Sequence, residues 1–214
     1  MKESYLKELE KGRLLVYGVS NDASIKERIA LIYPEERIEL GKTLYTKTKI
    51  AFEVQNTERI ESSEATRVFN DSYTTIHDKL IHIRKVGRYF FKNDLELSTL
   101  LRLNREVPTA YPEWKALADD TVNAIITHEA IQEKLTLVAL TPEVITALQG
   151  DLIAVDELKL NAEKEDGEAQ QATTKKQEYY GEFMAYCSDL RACLDLFYEG
   201  NERQKLEVLG VIVK

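Results

Sequence analysis

Two stretches of about 60 residues, Pro34 to Asn93 and Pro142 to Asn201, contain no proline after their first residue. Each opens on a proline followed by an acid, Pro34-Glu35 and Pro142-Glu143, with Thr141 before the second. Proline suits the first helical position, an acid suits the positive end of the helix dipole, and threonine can cap the free N–H groups. Each stretch is therefore expected to be one helix, about 90 Å long if it continues unbroken at 1.5 Å per residue.

Apolar spacing supports this. Tyr45, Phe52, Phe69, Tyr73, Ile76, Leu80, Ile83 and Phe90 keep one three-four seam in the first stretch. In the second the seam runs Leu148, Leu152, Val155, Ala162, Ala169, Tyr180, Phe183, Cys187, Leu190, Leu194 and Phe197. Such phase is hard to hold through a loop. Both seams turn polar at mid-length, at Gln55, Arg59, Ser62 and Thr66 and at Lys159, Asp166, Thr173 and Lys176. A turn near Ser62 and Gly167, making each stretch a hairpin, is the alternative. Shorter helices are expected over Glu3–Tyr17, Leu95–Leu103, Trp114–Ile126 and Arg203–Val211, and Asn104–Tyr111, with Pro108 and Pro112 near its end, is the linker candidate.

An overlay at an offset of 108 places Tyr33-Pro34-Glu35 on Thr141-Pro142-Glu143 and Phe90 to Asp94 on Tyr198 to Glu202. Identities in the overlay are few, so the coincident starts and stops carry the case for internal duplication. The expected fold is all-α: an antiparallel helical bundle of two repeats, 1–106 and 107–214, packed with pseudo-twofold symmetry. Only 9 Gly and 4 Pro in 214 residues supply too few turns for a sheet protein.

Tyr33-Pro34, the segment Gly167-Glu168-Ala169-Gln170-Gln171-Ala172-Thr173 and the ending Leu206-Glu207-Val208-Leu209-Gly210-Val211 resemble an uncharacterised family of bacterial all-helical proteins of similar length. Where that pattern tends to carry an aromatic or Trp, this chain has Tyr186 or none. The resemblance implies a helical fold and brings no activity, cofactor or site residue with it.

The net charge of −8, with bases scattered among acids, disfavours nucleic acid. No apolar run approaches the roughly 20 residues that span a bilayer, and the N-terminus lacks a leader pattern, so neither membrane nor export is expected and the cytoplasm is. Cys187 and Cys193, six apart and expected on opposed helix faces, read as free, buried apolar residues in a reducing compartment.

Chemistry-bearing motifs are absent: no phosphate loop, dinucleotide fingerprint, nucleophile elbow, Cys-x-x-Cys or Glu-x-x-His occurs. Asp78 and His82 share a helix face as half a metal site and read as a surface ion pair; His128 reads as a helix start or corner. Tyr89, Phe90 and Phe91, with Phe197 and Tyr198, read as core at a bundle end. Tyr73, Tyr179 and Tyr180, close to the polar middles, are the candidates for a protein-interaction surface. No catalytic, cofactor or metal residue is expected, and small-molecule binding is disfavoured. The expectation is a non-catalytic structural or protein-interaction bundle that binds a protein partner or itself. The alternative is a helical bundle binding a small molecule or metal.

Overall fold

The computed structural model describes residues 3–209, and among these every regular element is helical. In order they are α1 (Glu3–Asn21), α2 (Ala23–Ile29), α3 (Glu35–Phe90), α4 (Leu95–Leu100), α5 (Tyr111–Thr127), α6 (Glu129–Thr136), α7 (Pro142–Phe197) and a closing 3₁₀ helix (Gly200–Leu209). Residues 210 and 211, which end the expected closing helix and the family-like motif, lie outside the described residues.

The long stretches are each one continuous helix of 56 residues, and Ser62 and Gly167 both lie in a helix interior. No hairpin forms there, because an α-helix satisfies its own backbone and a polar seam costs it little when the flanking turns are packed. An alanine Cβ at Gly167 would meet nothing within 4 Å. Gly167→Ala is therefore expected to raise stability by about 0.5–1 kcal/mol through helix propensity, as measured by chemical denaturation; a turn at this position would give a loss instead.

Local chemistry sets the shorter elements. Asp22 caps α2 by accepting from Ser24 N (2.9 Å) and Ile25 N (3.1 Å), and Asp94 caps α4 by accepting from Leu97 N (3.0 Å). His128 stands at the corner where α5 gives way to α6. There Gln132 Nε2 donates to the last carbonyls of α5, Ile125 O (3.0 Å) and Ile126 O (2.7 Å). The short α2 and α6 go beyond the elements the apolar spacing predicts.

The chain divides into two compact units, residues 1–60 with 167–214 and residues 61–166, so each long helix contributes one segment to each unit. In the first unit Leu15, Val16, Val19, Ile25, Ile29, Tyr33 and Ile38 pack with Phe183, Cys187, Leu190 and Leu194. Arg37 pairs with Asp189 (2.6 Å), Tyr45 packs on Phe183, and the buried Thr48 hydroxyl donates to Tyr179 O (2.9 Å). Residue numbers rise along α3 as they fall along α7. In the second unit Trp114, Val122, Ile125 and Ile131 pack with Ile76, Leu80, Ile83, Leu148 and Val155. The order is again opposed: Lys159 lies over the Phe69 ring (5.3 Å) and Lys79 pairs with Asp151 (2.7 Å).

Mid-helix polarity is visible in the burial. No residue from 53 to 75 of α3 is buried, and between Val155 and Phe183 only Ala162 and Ala172 are. Two polar seam positions nevertheless have ring partners, Lys159 over Phe69 and Lys176 over Phe52 (5.5 Å).

Part of the burial pattern of α3 recurs in α7 at a different offset from the one the prolines give, although the buried Ala51, Phe52 and Arg84 fall on the half-buried Leu158, Lys159 and Arg191. Ile38, Gly41, Thr48, Ile76, Leu80, Ile83 and Gly87 stand 107 residues before Ile145, Leu148, Val155, Phe183, Cys187, Leu190 and Leu194, and all fourteen are buried. Helix ends agree, since 142 − 35 and 197 − 90 both give 107. Gly12, Leu15, Val16, Val19, Ile25 and Ile29 match Ala118, Thr121, Val122, Ile125, Ile131 and Leu135 at 106, again all buried. An offset of 108 puts none of the seven α3 positions on a buried residue of α7. The prolines differ from the helix offset by one residue because Pro34 precedes α3, whereas Pro142 is the first residue of α7.

Candidate functional site

In the first unit α3 and α7 are fastened at mid-height by polar and aromatic contacts. Thr48 bonds Tyr179 O as above, and the Tyr180 hydroxyl donates to the Glu8 carboxylate on α1. The Tyr180 ring meets Tyr5 edge-on (4.9 Å) and lies 6.1 Å from Phe52, on which Lys176 also sits. Burial, together with that bond to Glu8, raises the Tyr180 hydroxyl above the ordinary phenol pKa, so it stays a neutral donor.

Beside this fastening the two helices leave a half-open groove of about 280 Å³, lined by Lys47, Ile50, Ala51, Val54, Ala172, Lys175 and Tyr179. Buried alanines, Ala51 and Ala172, contribute the smallest side chains of the lining. The α3 wall is apolar and open to water, with Ile50 52% and Val54 44% exposed. Lys47 and Lys175, one from each helix, are exposed and form no ion pair among the described residues. Both lysines line an apolar trough in a chain of net charge −8.

The three candidate tyrosines fall in different settings. Tyr179 lines the groove. Tyr180 is committed to Glu8, Tyr5 and Phe52. Tyr73, its counterpart 107 residues earlier, is half-buried in the second unit against Trp114 (4.5 Å), Phe69 (6.0 Å) and Tyr111 (6.3 Å). Lys47, Ile50, Val54 and Lys175 escaped the sequence analysis because they lie off the seam. The signal available was Ile50 and Val54, an apolar pair at i,i+4 on a face the heptad does not need.

The remaining candidates are placed as follows. Asp78 and His82 are both exposed and form no ion pair among the described residues, contrary to the expected pairing. His77 stacks beside Trp114 (6.4 Å) with Nδ1 buried and unpartnered. Cys187 and Cys193 are free and buried in the same core, since a six-residue step on a helix turns their faces about 120° apart and not opposite. Burial pushes the Cys187 thiol up to about 11, which keeps it protonated and a poor nucleophile at neutral pH. Phe91 and Tyr198 are core and Phe90 and Phe197 half-buried, but Tyr89 projects into solvent, 72% exposed, so the bundle-end reading fails for it.

In the second unit a polar group ties α5 to α7. The Tyr111 hydroxyl (2.6 Å) and Lys115 Nζ (3.0 Å) both reach the Asp156 carboxylate. Burial alone would raise the Asp156 pKa, but these two donors outweigh it and hold the carboxyl below its ordinary value. The arrangement is an ion pair with a hydroxyl donor, which fixes α5 against α7.

Fold and groove together define an all-helical protein with one apolar, lysine-rimmed trough as its candidate site. No protein-family model matches the chain, and no curated protein and no solved structure matches it. No helix among the described residues is long and apolar enough to cross a membrane.

Proposed function

We propose that this chain is a non-catalytic interaction protein: an antiparallel, internally duplicated helical bundle that docks a protein partner in the groove beside Tyr179. The observation that carries the proposal is the exposed apolar pair Ile50 and Val54, which lines the same half-open groove as Tyr179. Exposed apolar side chains around an aromatic anchor are how partner surfaces gain affinity. The repeat at offsets 106 and 107 and the opposed residue order support the duplicated, antiparallel architecture. Membership in the bacterial helical family that the sequence resembles, a cytoplasmic location and the absence of nucleic-acid binding belong to the same proposal.

A photo-crosslinking residue at position 50, introduced in the native cell, tests the docking. The expected result is a discrete protein adduct that is reduced at least about tenfold by Tyr179→Ala and untouched by Tyr89→Ala. No adduct, or an adduct indifferent to Tyr179, would remove the groove from consideration.

A further inference from the structure

The groove also carries information about what fills it, and this step rests on the docking proposal above. We propose that its occupant is an amphipathic helix of a partner protein, with an apolar stripe flanked by Asp or Glu. Three observations support this.

The first is shape. Ile50 and Val54 stand one turn apart on one wall, and Ala172, Lys175 and Tyr179 follow at i, i+3 and i+7 on the other. Two helical walls over a floor of alanines form the trough into which a third helix lays its apolar face. The second is charge. Lys47 and Lys175 come from different helices, form no ion pair among the described residues and line the apolar strip, so they complement carboxylates bordering such a stripe.

The third is an internal control supplied by the repeat. At offset 107 the positions of Ile50 and Val54 hold Glu157 and Asn161 in the second unit, Ala51 is matched by Leu158, and Lys175 and Tyr179 by Val68 and Ser72. Ala172 is matched by another alanine, Ala65, and Lys47 by Ala154, so the second unit keeps an alanine at one floor position but has neither the Ile50 and Val54 wall nor either lysine. The exposed Ile50 and Val54 and the two lysines are therefore features of the first unit that its counterpart does without.

The test uses the full chain and a fluorescein-labelled three-heptad peptide with Leu at a and d and Glu at e and g, read by anisotropy. A second peptide carries Lys in place of Glu. The acidic peptide is expected to bind, to weaken with salt, and to lose at least about tenfold in affinity to K47E/K175E and less to K47Q/K175Q. K47E/K175E should in turn gain the basic peptide, which wild type ignores. Both lysines are exposed, and unchanged far-UV circular dichroism would show that the variants fold. Failure of the acidic peptide to bind, equal binding of both peptides, or indifference to the lysine changes would overturn the inference. If the acidic peptide fails while the crosslinker at position 50 still yields a Tyr179-dependent adduct, the occupant is wrong and the docking stands. If that adduct is this chain itself, and Ile50→Asp abolishes self-association in sedimentation velocity, the occupant is a second copy. If adduct and peptide both fail, both proposals fall.

Discussion

Alanine in place of Trp114 is expected to cost about 3–5 kcal/mol, the largest loss from any single truncation proposed for this chain. The indole is 0% exposed and is surrounded by Tyr73 (4.5 Å), Tyr111 (5.7 Å) and His77 (6.4 Å), which join it to both α3 and the start of α5. Removing it forfeits the transfer energy of the ring and leaves a void that two helices would have to bend to close. Urea denaturation followed by far-UV circular dichroism measures the loss, because the variant lacks the chain's single tryptophan as a fluorophore. Trp114→Phe should cost far less, about 1.5 kcal/mol or under. Trp114 Nε1 is buried without a partner, so its deletion breaks no hydrogen bond. A loss below about 1 kcal/mol for the alanine variant would mean that the aromatic group does not hold this unit together.

Gly41→Ala is expected to destabilise even though alanine is the better helix former. A Cβ at Gly41 would lie under 3.0 Å from three atoms of the Tyr186 side chain, two of the ring and the hydroxyl oxygen. That ring cannot swing away cheaply: its hydroxyl donates to Arg37 O (3.0 Å), and Tyr33, itself bonded to Asp189, meets it edge-on at 5.9 Å. Overpacking of this kind costs about 1–3 kcal/mol, against about 1 kcal/mol gained from propensity, so a net loss of up to about 2 kcal/mol is expected. Tyr186→Leu in the Gly41→Ala background should recover part of it, giving a coupling of at least about 1 kcal/mol in the double-mutant cycle. Additive effects would show that the two side chains do not collide. The contrast with Gly167, where the same substitution should stabilise, separates a glycine required by a close approach from one that is merely tolerated.

How much was legible varies with how local the cause is. The long helices were legible because periodicity and the absence of proline are properties of consecutive residues. Their ends were read slightly long: Asn93 and Asn201 were the expected stops, but α3 ends at Phe90 and α7 at Phe197, where Asp94 is taken up in capping α4 and Gly200 adopts φ +56°. The short α2 and α6 carry too few apolar repeats to stand out from loop, and packing against the cores makes them helical. Tyr73 and Tyr180 looked like interface anchors because a tyrosine near a polar seam reads as exposed; the contacts that half-bury them, Trp114 and Tyr5 with Glu8, come from α5 and α1.

What the sequence by itself determined is the helix: where each long segment begins, to within a residue, and that its middle is polar; a turn at Ser62 or Gly167 stayed open until the structure showed both helices continuous. Backbone hydrogen bonds four residues apart and a 3.6-residue period are local, so consecutive residues suffice to specify them. Only the tertiary structure decided the offsets of 106 and 107, the meeting of Tyr186 with Gly41, and the groove of Ile50, Val54, Ala172 and Tyr179. Each of these brings together side chains far apart in the chain, and their register depends on how two helices slide past each other until both cores are filled, which neither helix encodes alone.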